Sequence, residues 1–203
     1  MLSSKEAFTK EGLERRLYYG EEVLNKYYDE YAETWKEQGE IKTELYLKNC
    51  EIDGVPIRGQ IDKVVINDKH VHVVDFKTGQ FKYGKSKVKP PLVLEDNSDE
   101  LNFEKRYGVD YWRQILFYKA LIESDNTQNL RVLSGEIDFI EPDGENHQKV
   151  KIMVNDDEYV FVKEQIKSVF GKIQNLEFEE GCEKDDCQWC TFNKHYNEQA
   201  HYA

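Results

Sequence analysis

The sequence lacks any apolar run close to the roughly 20 residues needed to cross a bilayer. Its start, Met1–Lys10, is polar and has no apolar segment of the kind a secretory signal carries. These absences point to a cytoplasmic protein with no membrane partner. Positive charge is also in short supply, with 28 Lys and Arg against 40 Asp and Glu for a formal charge of −12. That balance argues against broad coating by nucleic acid or anionic lipid, yet leaves room for a local basic groove. Cysteine is scarce: there are four, and Cys182, Cys187 and Cys190 fall within nine positions, unlike the even spread of a disulfide framework. No internal repeat and no low-complexity linker divides the 203 residues. They read as a single α/β unit, with an N-terminal helical segment over 1–38, a core over 39–177 and a cysteine-bearing tail over 178–203.

Along the chain, Leu13, Leu17, Leu24, Tyr27 or Tyr28, Tyr31 and Trp35 recur at helical spacing and predict a packed helix over about 6–35, with Gly20 leaving one rod or two short ones. From Ile41 the period becomes two. Strands are expected at Thr43–Leu47, Val55–Ile66 and His70–Lys77, joined by turns at Glu51–Gly54 and Asn67–Lys69 into an antiparallel meander. No period is sustained over Gln80–Lys105, which holds Lys82, Lys85, Lys87 and Lys89, then Pro90-Pro91, then an acidic run at 95–100. Asp110–Glu123 reads as a helix, and Leu130–Ile140 and Gln148–Val154 as strands around Glu141-Pro142-Asp143-Gly144. Asp156-Asp157-Glu158 suits the start of a last helix, with Val162, Ile166, Val169, Phe170 and Ile173 on its buried face.

The sharpest chemical signal is Gly59-Gln60-Ile61-Asp62 followed by Val74-Asp75-Phe76-Lys77. Strand alternation places Asp75 and Lys77 on one face, and hairpin pairing can bring Asp62 beside them. Carboxylates on central strands need basic partners or a cation, and oxygen ligands of this kind suit Mg²⁺ or Mn²⁺ acting on a phosphodiester. A purely structural Asp–Lys network is the plainer reading of the same residues. Glu44, one strand earlier, could face the same centre or be a solvated carboxylate. Gln114 and Tyr118, four apart, share one side of their helix and taken alone read as an exposed edge. The four lysines, interleaved with Phe81 and Tyr83, could line a phosphate path or form a solvated loop, and Arg113 joins them only if it faces the groove. His70 and His72 share the strand face opposite Asp75 and Lys77. Cys182-x4-Cys187-x2-Cys190 has a spacing able to hold zinc or part of an iron–sulfur cluster, with Cys50 or His195 as a fourth ligand, or it binds nothing.

In order along the chain, Gly59-Gln60-Ile61-Asp62, Val74-Asp75-Phe76-Lys77-Thr78-Gly79, Gln114-Ile115-Leu116-Phe117-Tyr118 and the terminal cysteines resemble the PD-(D/E)xK nuclease superfamily. Within it they resemble the RecB-like exonuclease group, which includes nuclease domains of helicase–nucleases and CRISPR-associated exonucleases. The resemblance implies a restriction-endonuclease-like α/β core with a central mixed sheet flanked by helices. It implies that Asp62 and Asp75 hold the metal with the Phe76 carbonyl, that Lys77 is the catalytic lysine, and that Gln114 and Tyr118 approach the active site. It implies a 4Fe-4S cluster at the cysteines, although their spacing departs from the family's run. The implied substrate is DNA, as single strands or ends, cleaved in DNA repair beside a helicase domain or subunit. No histidine precedes His70, so the family's N-terminal histidine ligand is missing here, and the chain reads as a piece of a larger helicase-like protein. Two other readings stay open: a noncatalytic DNA-binding or interaction domain of nuclease descent, and a two-carboxylate hydrolase of small phosphorylated substrates.

Overall fold

Helical spacing in the N-terminal segment yields one uninterrupted helix, α1 (Lys10–Lys36), capped by the Thr9 hydroxyl. It belongs to a computed structural model that describes residues 9–92, 103–124, 129–177 and 187–192. The expected packing face of α1 is corrected: Val23 and Tyr27 are buried, whereas Leu13, Leu17, Leu24 and Tyr28 are exposed. At 1.5 Å per residue the 27-residue helix is about 40 Å long, while five strands spaced about 4.8 Å apart span only roughly 20 Å. Tyr27 packs beside His147 near one sheet edge and Trp35 lies near Lys63 further in. The turns before Val23 therefore overhang.

The period-two stretch forms β1 (Glu40–Ile52), β2 (Val55–Asn67) and β3 (His70–Gln80), paired antiparallel. The β1–β2 turn is Asp53-Gly54, with φ of 48° and 87°. An Asp-Gly pair enters this left-handed hairpin turn at little steric cost. β1 outruns the predicted Thr43–Leu47 strand because a bulge between Leu47 and Cys50 interrupts the alternation that marks a strand in sequence.

The segment with no sustained period is partly helical. It holds α2 (Phe81–Gly84), a 3-10 turn (Lys85–Val88) and α3 (Phe103–Tyr107). One-turn helices are too short to print a periodic stripe. Backbone bonds from Val109 N to Lys89 O (3.0 Å) and from Leu92 N to Lys105 O (2.9 Å) clamp the ends of this excursion together.

α4 (Asp110–Glu123) then crosses back over the sheet, so that β4 (Arg131–Asp143) lies parallel to β3, and β5 (Asn146–Met153) returns antiparallel to β4. The strand order is β1-β2-β3-β4-β5. This is the expected α/β, restriction-endonuclease-like core, a mixed sheet flanked by helices. Ile115, Leu116 and Leu121 of α4 are sealed against Val64, Val71, Val73 and Ile137. α5 (Asp156–Gln174) starts in a capping box, Asn155 accepting from Glu158 N at 2.7 Å. Lys163 and Lys167 tie α5 to Asp53 in the β1–β2 turn. Its predicted buried face is only half covered. Val162 is buried, but Val169 and Ile173 are 55% and 46% exposed, lining an apolar groove of about 470 Å³ with Val55, Ile57 and Phe117. Among the described residues no helix is long and apolar enough to cross a membrane.

Candidate functional site

The register that sets Lys63 opposite Val74 brings the next residues, Asp62 and Asp75, to adjoining positions of β2 and β3. α4 closes over them because glycines face it. A Cβ at Gly59 would stand 2.6 Å from Leu121 Cδ1, and one at Gly135 of β4 would stand 2.4 Å from Ile115 Cγ2. The close approach lets α4 side chains reach the carboxylates.

Asp75 is 2% exposed, and its Oδ1 accepts from Gln114 Nε2 and from the Tyr118 hydroxyl, each at 2.7 Å. Tyr118 in turn accepts from Gln114 Nε2 at 2.8 Å. The Lys77 ammonium donates to Gln114 Oε1 at 2.9 Å and stands 2.5 Å from Asp75 Oδ2. Gln114 thereby binds both the acid and the lysine, one through its amide NH2 and one through its carbonyl. Asp62 Oδ2 accepts from the Phe76 backbone N–H at 2.9 Å, fixing the chain between Asp75 and Lys77.

Charge in this cluster is unevenly balanced. Burial pushes the Asp62 carboxyl above its ordinary value; the Phe76 N–H opposes the push, Asp75 and Glu44 add to it, and Lys77 offsets it. Burial and then the bond to Asp75 raise the Tyr118 hydroxyl, so that it serves as a proton donor. Glu44 is exposed, accepts a hydrogen bond from Gln60 Nε2 and sits in β1 at φ 50°. A non-glycine residue in the left-handed region inside a strand carries strain, and such strain gathers at functional sites.

The donor set fits a hard divalent cation. Asp75 Oδ2 is buried and accepts no hydrogen bond, although the Lys77 ammonium is close enough to pair with it electrostatically. No three His, Cys, Asp or Glu side chains form a closed metal cage among the described residues. Mg²⁺ commonly uses one or two carboxylates, with water and substrate oxygens filling its shell.

The remaining sequence candidates fall in three places. Lys82, Lys85, Lys87 and Lys89 are exposed on α2 and the turn that follows it. Arg113 pairs with Asp110 at 2.8 Å and lines the apolar groove, one side of which is Gln114. Cys50 is buried in the apolar core with its Sγ directed at Lys48 O, and the structure does not bring it into a ligand group with Cys187 and Cys190. Cys182 and His195 lie outside the described residues. His72 bonds Ser134 Oγ at 2.8 Å, away from the carboxylates.

Two features escaped the sequence reading. Tyr111 of α4 lies 4.5 Å from the Lys77 ammonium, measured to the ring centroid. On the α1 side of the sheet, Asp138 of β4 is 1% exposed, takes a hydrogen bond from Tyr27 and pairs with Lys149 at 2.7 Å. The Tyr27 ring also packs edge-on against Phe76 at 6.2 Å, buttressing the strand from behind. The signal for Asp138 was present, as a carboxylate between apolar neighbours in a strand.

A family model described as the PD-(D/E)XK nuclease superfamily matches residues 2–194. Among solved structures, a candidate exonuclease from Eubacterium rectale is similar over 92% of this chain and 64% of its own, at 17% identity and a TM-score of 0.52. At that identity the likeness is one of fold, and the chain spans 64% of that protein's length. The protein SSO0001 is 18% identical over 75% of this chain and 58% of its own, and its TM-score of 0.39 adds nothing to the fold argument. No curated protein matches the sequence.

Proposed function

The chain belongs to the PD-(D/E)XK nuclease superfamily, and from that premise we propose that it is a divalent-metal-dependent deoxyribonuclease of the RecB-like group, hydrolysing phosphodiester bonds at DNA ends or in single strands. The observation that carries this reading is Gln114, which hydrogen-bonds Asp75 and Lys77 at once. A side chain that couples a buried acid to an ammonium sets the angle between them, and this angle is what a phosphate flanked by cation and lysine requires. In this reading 39–177 is the nuclease core, 1–38 its helical support and 178–203 a tail whose cysteines hold an iron–sulfur cluster or zinc. The protein works in DNA repair beside a helicase domain or subunit, in the cytoplasm.

Asp62, Asp75 and the Phe76 carbonyl would hold Mg²⁺ or Mn²⁺, with Glu44 reaching the shell through water. When bound, the ion supplies charge stabilisation at the phosphate and activation of water. Lys77 orients the attacking group and stabilises developing negative charge. Tyr118 and Gln114 hold Asp75 in place while it does so. Lys82, Lys85, Lys87, Lys89 and Arg113 track the backbone of the strand, offsetting locally the chain's net −12.

End-labelled linear single strands, linear duplexes and closed single-stranded circles, each incubated with Mg²⁺ or Mn²⁺, test the proposal. Linear single strands are expected to be degraded only with metal, and circles to be spared. Circles cut as fast as linear strands would refute the exonucleolytic part; no metal-dependent product from folded protein would refute the nuclease itself. Changing the four lysines together to glutamine should weaken DNA binding and lower the slope of log K against log salt by up to about 0.7 per contact removed. An unchanged slope would remove this segment from the DNA path.

A further inference from the structure

Lys77 carries its charge on a flexible four-carbon stem, so its usefulness depends on what restrains the ammonium. Asp75 Oδ2 restrains it at 2.5 Å and Gln114 Oε1 at 2.9 Å. The third restraint is the Tyr111 ring, centred 4.5 Å from Nζ. That ring is itself held. It packs against Phe139 at 6.3 Å between centroids, and Gly84 lies so close beneath that an added Cβ would stand 3.3 Å from Tyr111 Cε2 and 2.4 Å from Phe139 Cε1. Lys87 of the basic segment also approaches the ring, at 5.4 Å.

We propose that Tyr111 is a positioning residue for phosphodiester cleavage, its ring face holding the Lys77 ammonium in the direction of the scissile phosphate. The inference rests on the reading of Lys77 as the lysine that acts on the phosphate. A second carboxylate in the place of the ring would add to the neutralisation of the ammonium that Asp75 already supplies. The quadrupole of a neutral ring orders the ammonium without adding to that neutralisation. Sharing the ring with Lys87 also places an exposed cation beside the reacting lysine, so a strand tracking the basic segment arrives at Lys77.

The test is a series at position 111 in the full chain: phenylalanine, then mono-, di- and trifluorinated phenylalanine. Fluorination drains the ring face of negative potential at nearly constant size. Single-turnover cleavage of saturating single-stranded DNA should be close to normal with phenylalanine and fall stepwise across the series to about one tenth. DNA Kd should stay within about twofold. Rates that are flat across the series, or a Kd that climbs in step with the falling rate, would overturn the proposal while leaving the nuclease reading intact. Absence of metal-dependent cleavage by the unmodified protein would sink both, and cleavage that persists in Asp75→Ala would sink the assignment of the site.

Discussion

Replacing Asp75 with asparagine is expected to lower metal-dependent DNA cleavage by about three orders of magnitude or more while leaving the protein folded. Asparagine keeps the size of the side chain and an oxygen that can still accept from Gln114 and Tyr118, the two donors now satisfied by Asp75 Oδ1. It removes the charge that Lys77 pairs with and that a cation would need. Asp75→Ala makes a harsher comparison, because it leaves Gln114 and Tyr118 without their shared acceptor, and Lys77 without its ion-pair partner, at a position that is 2% exposed. The two variants therefore separate chemistry from architecture. Single-turnover rates over a Mn²⁺ titration, read beside calorimetric Mn²⁺ binding and thermal melting, decide the matter. Loss of activity and of Mn²⁺ binding in both variants, with the asparagine form melting near the parent temperature, is the expected pattern. An active asparagine variant would show that Asp75 serves only to hold α4 on the sheet.

Lys77→Met should slow the chemical step by about 10²- to 10³-fold and move DNA affinity by no more than about twofold. The side chain is 21% exposed and its ammonium is engaged by Asp75, Gln114 and the Tyr111 ring. In the proposed reading, attraction of the strand falls instead to the lysines exposed on α2 and the following turn. Arginine is not expected to restore the rate, since a planar guanidinium cannot fill a seat shaped for a compact ammonium. Single-turnover kinetics beside equilibrium binding on the same oligonucleotide separates the two effects. If Kd rises as far as the rate falls, Lys77 is a DNA anchor and another group performs the chemistry.

Charge out of place in an apolar strand makes much of this arrangement legible in the sequence. Asp62, Asp75 and Lys77 stand where apolar residues would cost less, and strand alternation alone puts Asp75 and Lys77 on one face. The helix of Gln114 and Tyr118 was bounded at Asp110 and Glu123 by its periodic face. Tyr111 was not legible as a neighbour of Lys77. An aromatic in the first turn of an amphipathic helix has the spacing of a core residue, and only the approach of Gly84 and Phe139 aims its ring at the ammonium. Leu13 and Leu17 failed in the opposite sense. Periodicity marks the face a helix would bury, but the width of the sheet decides how many turns find something to lie on. On α5, Val169 and Ile173 stay open for a different reason, as walls of a groove they share with Val55, Ile57 and Phe117.

The parallel pairing of β3 with β4 also predicts an order of folding events. β1, β2 and β3 join through tight turns, so Asp62 and Asp75 meet as soon as the meander forms. The bonds from Gln114 and Tyr118 to Asp75 span 39 and 43 positions, and pairing β4 with β3 closes a loop through the same crossover. Contacts between distant positions close more slowly than local ones, because the entropy of the intervening loop is lost first. A half-folded chain is thus expected to hold its pair of acids without the helix that carries Gln114 and Tyr118. Under the proposed nuclease reading, the competence to cut is expected last, with the step that completes the sheet.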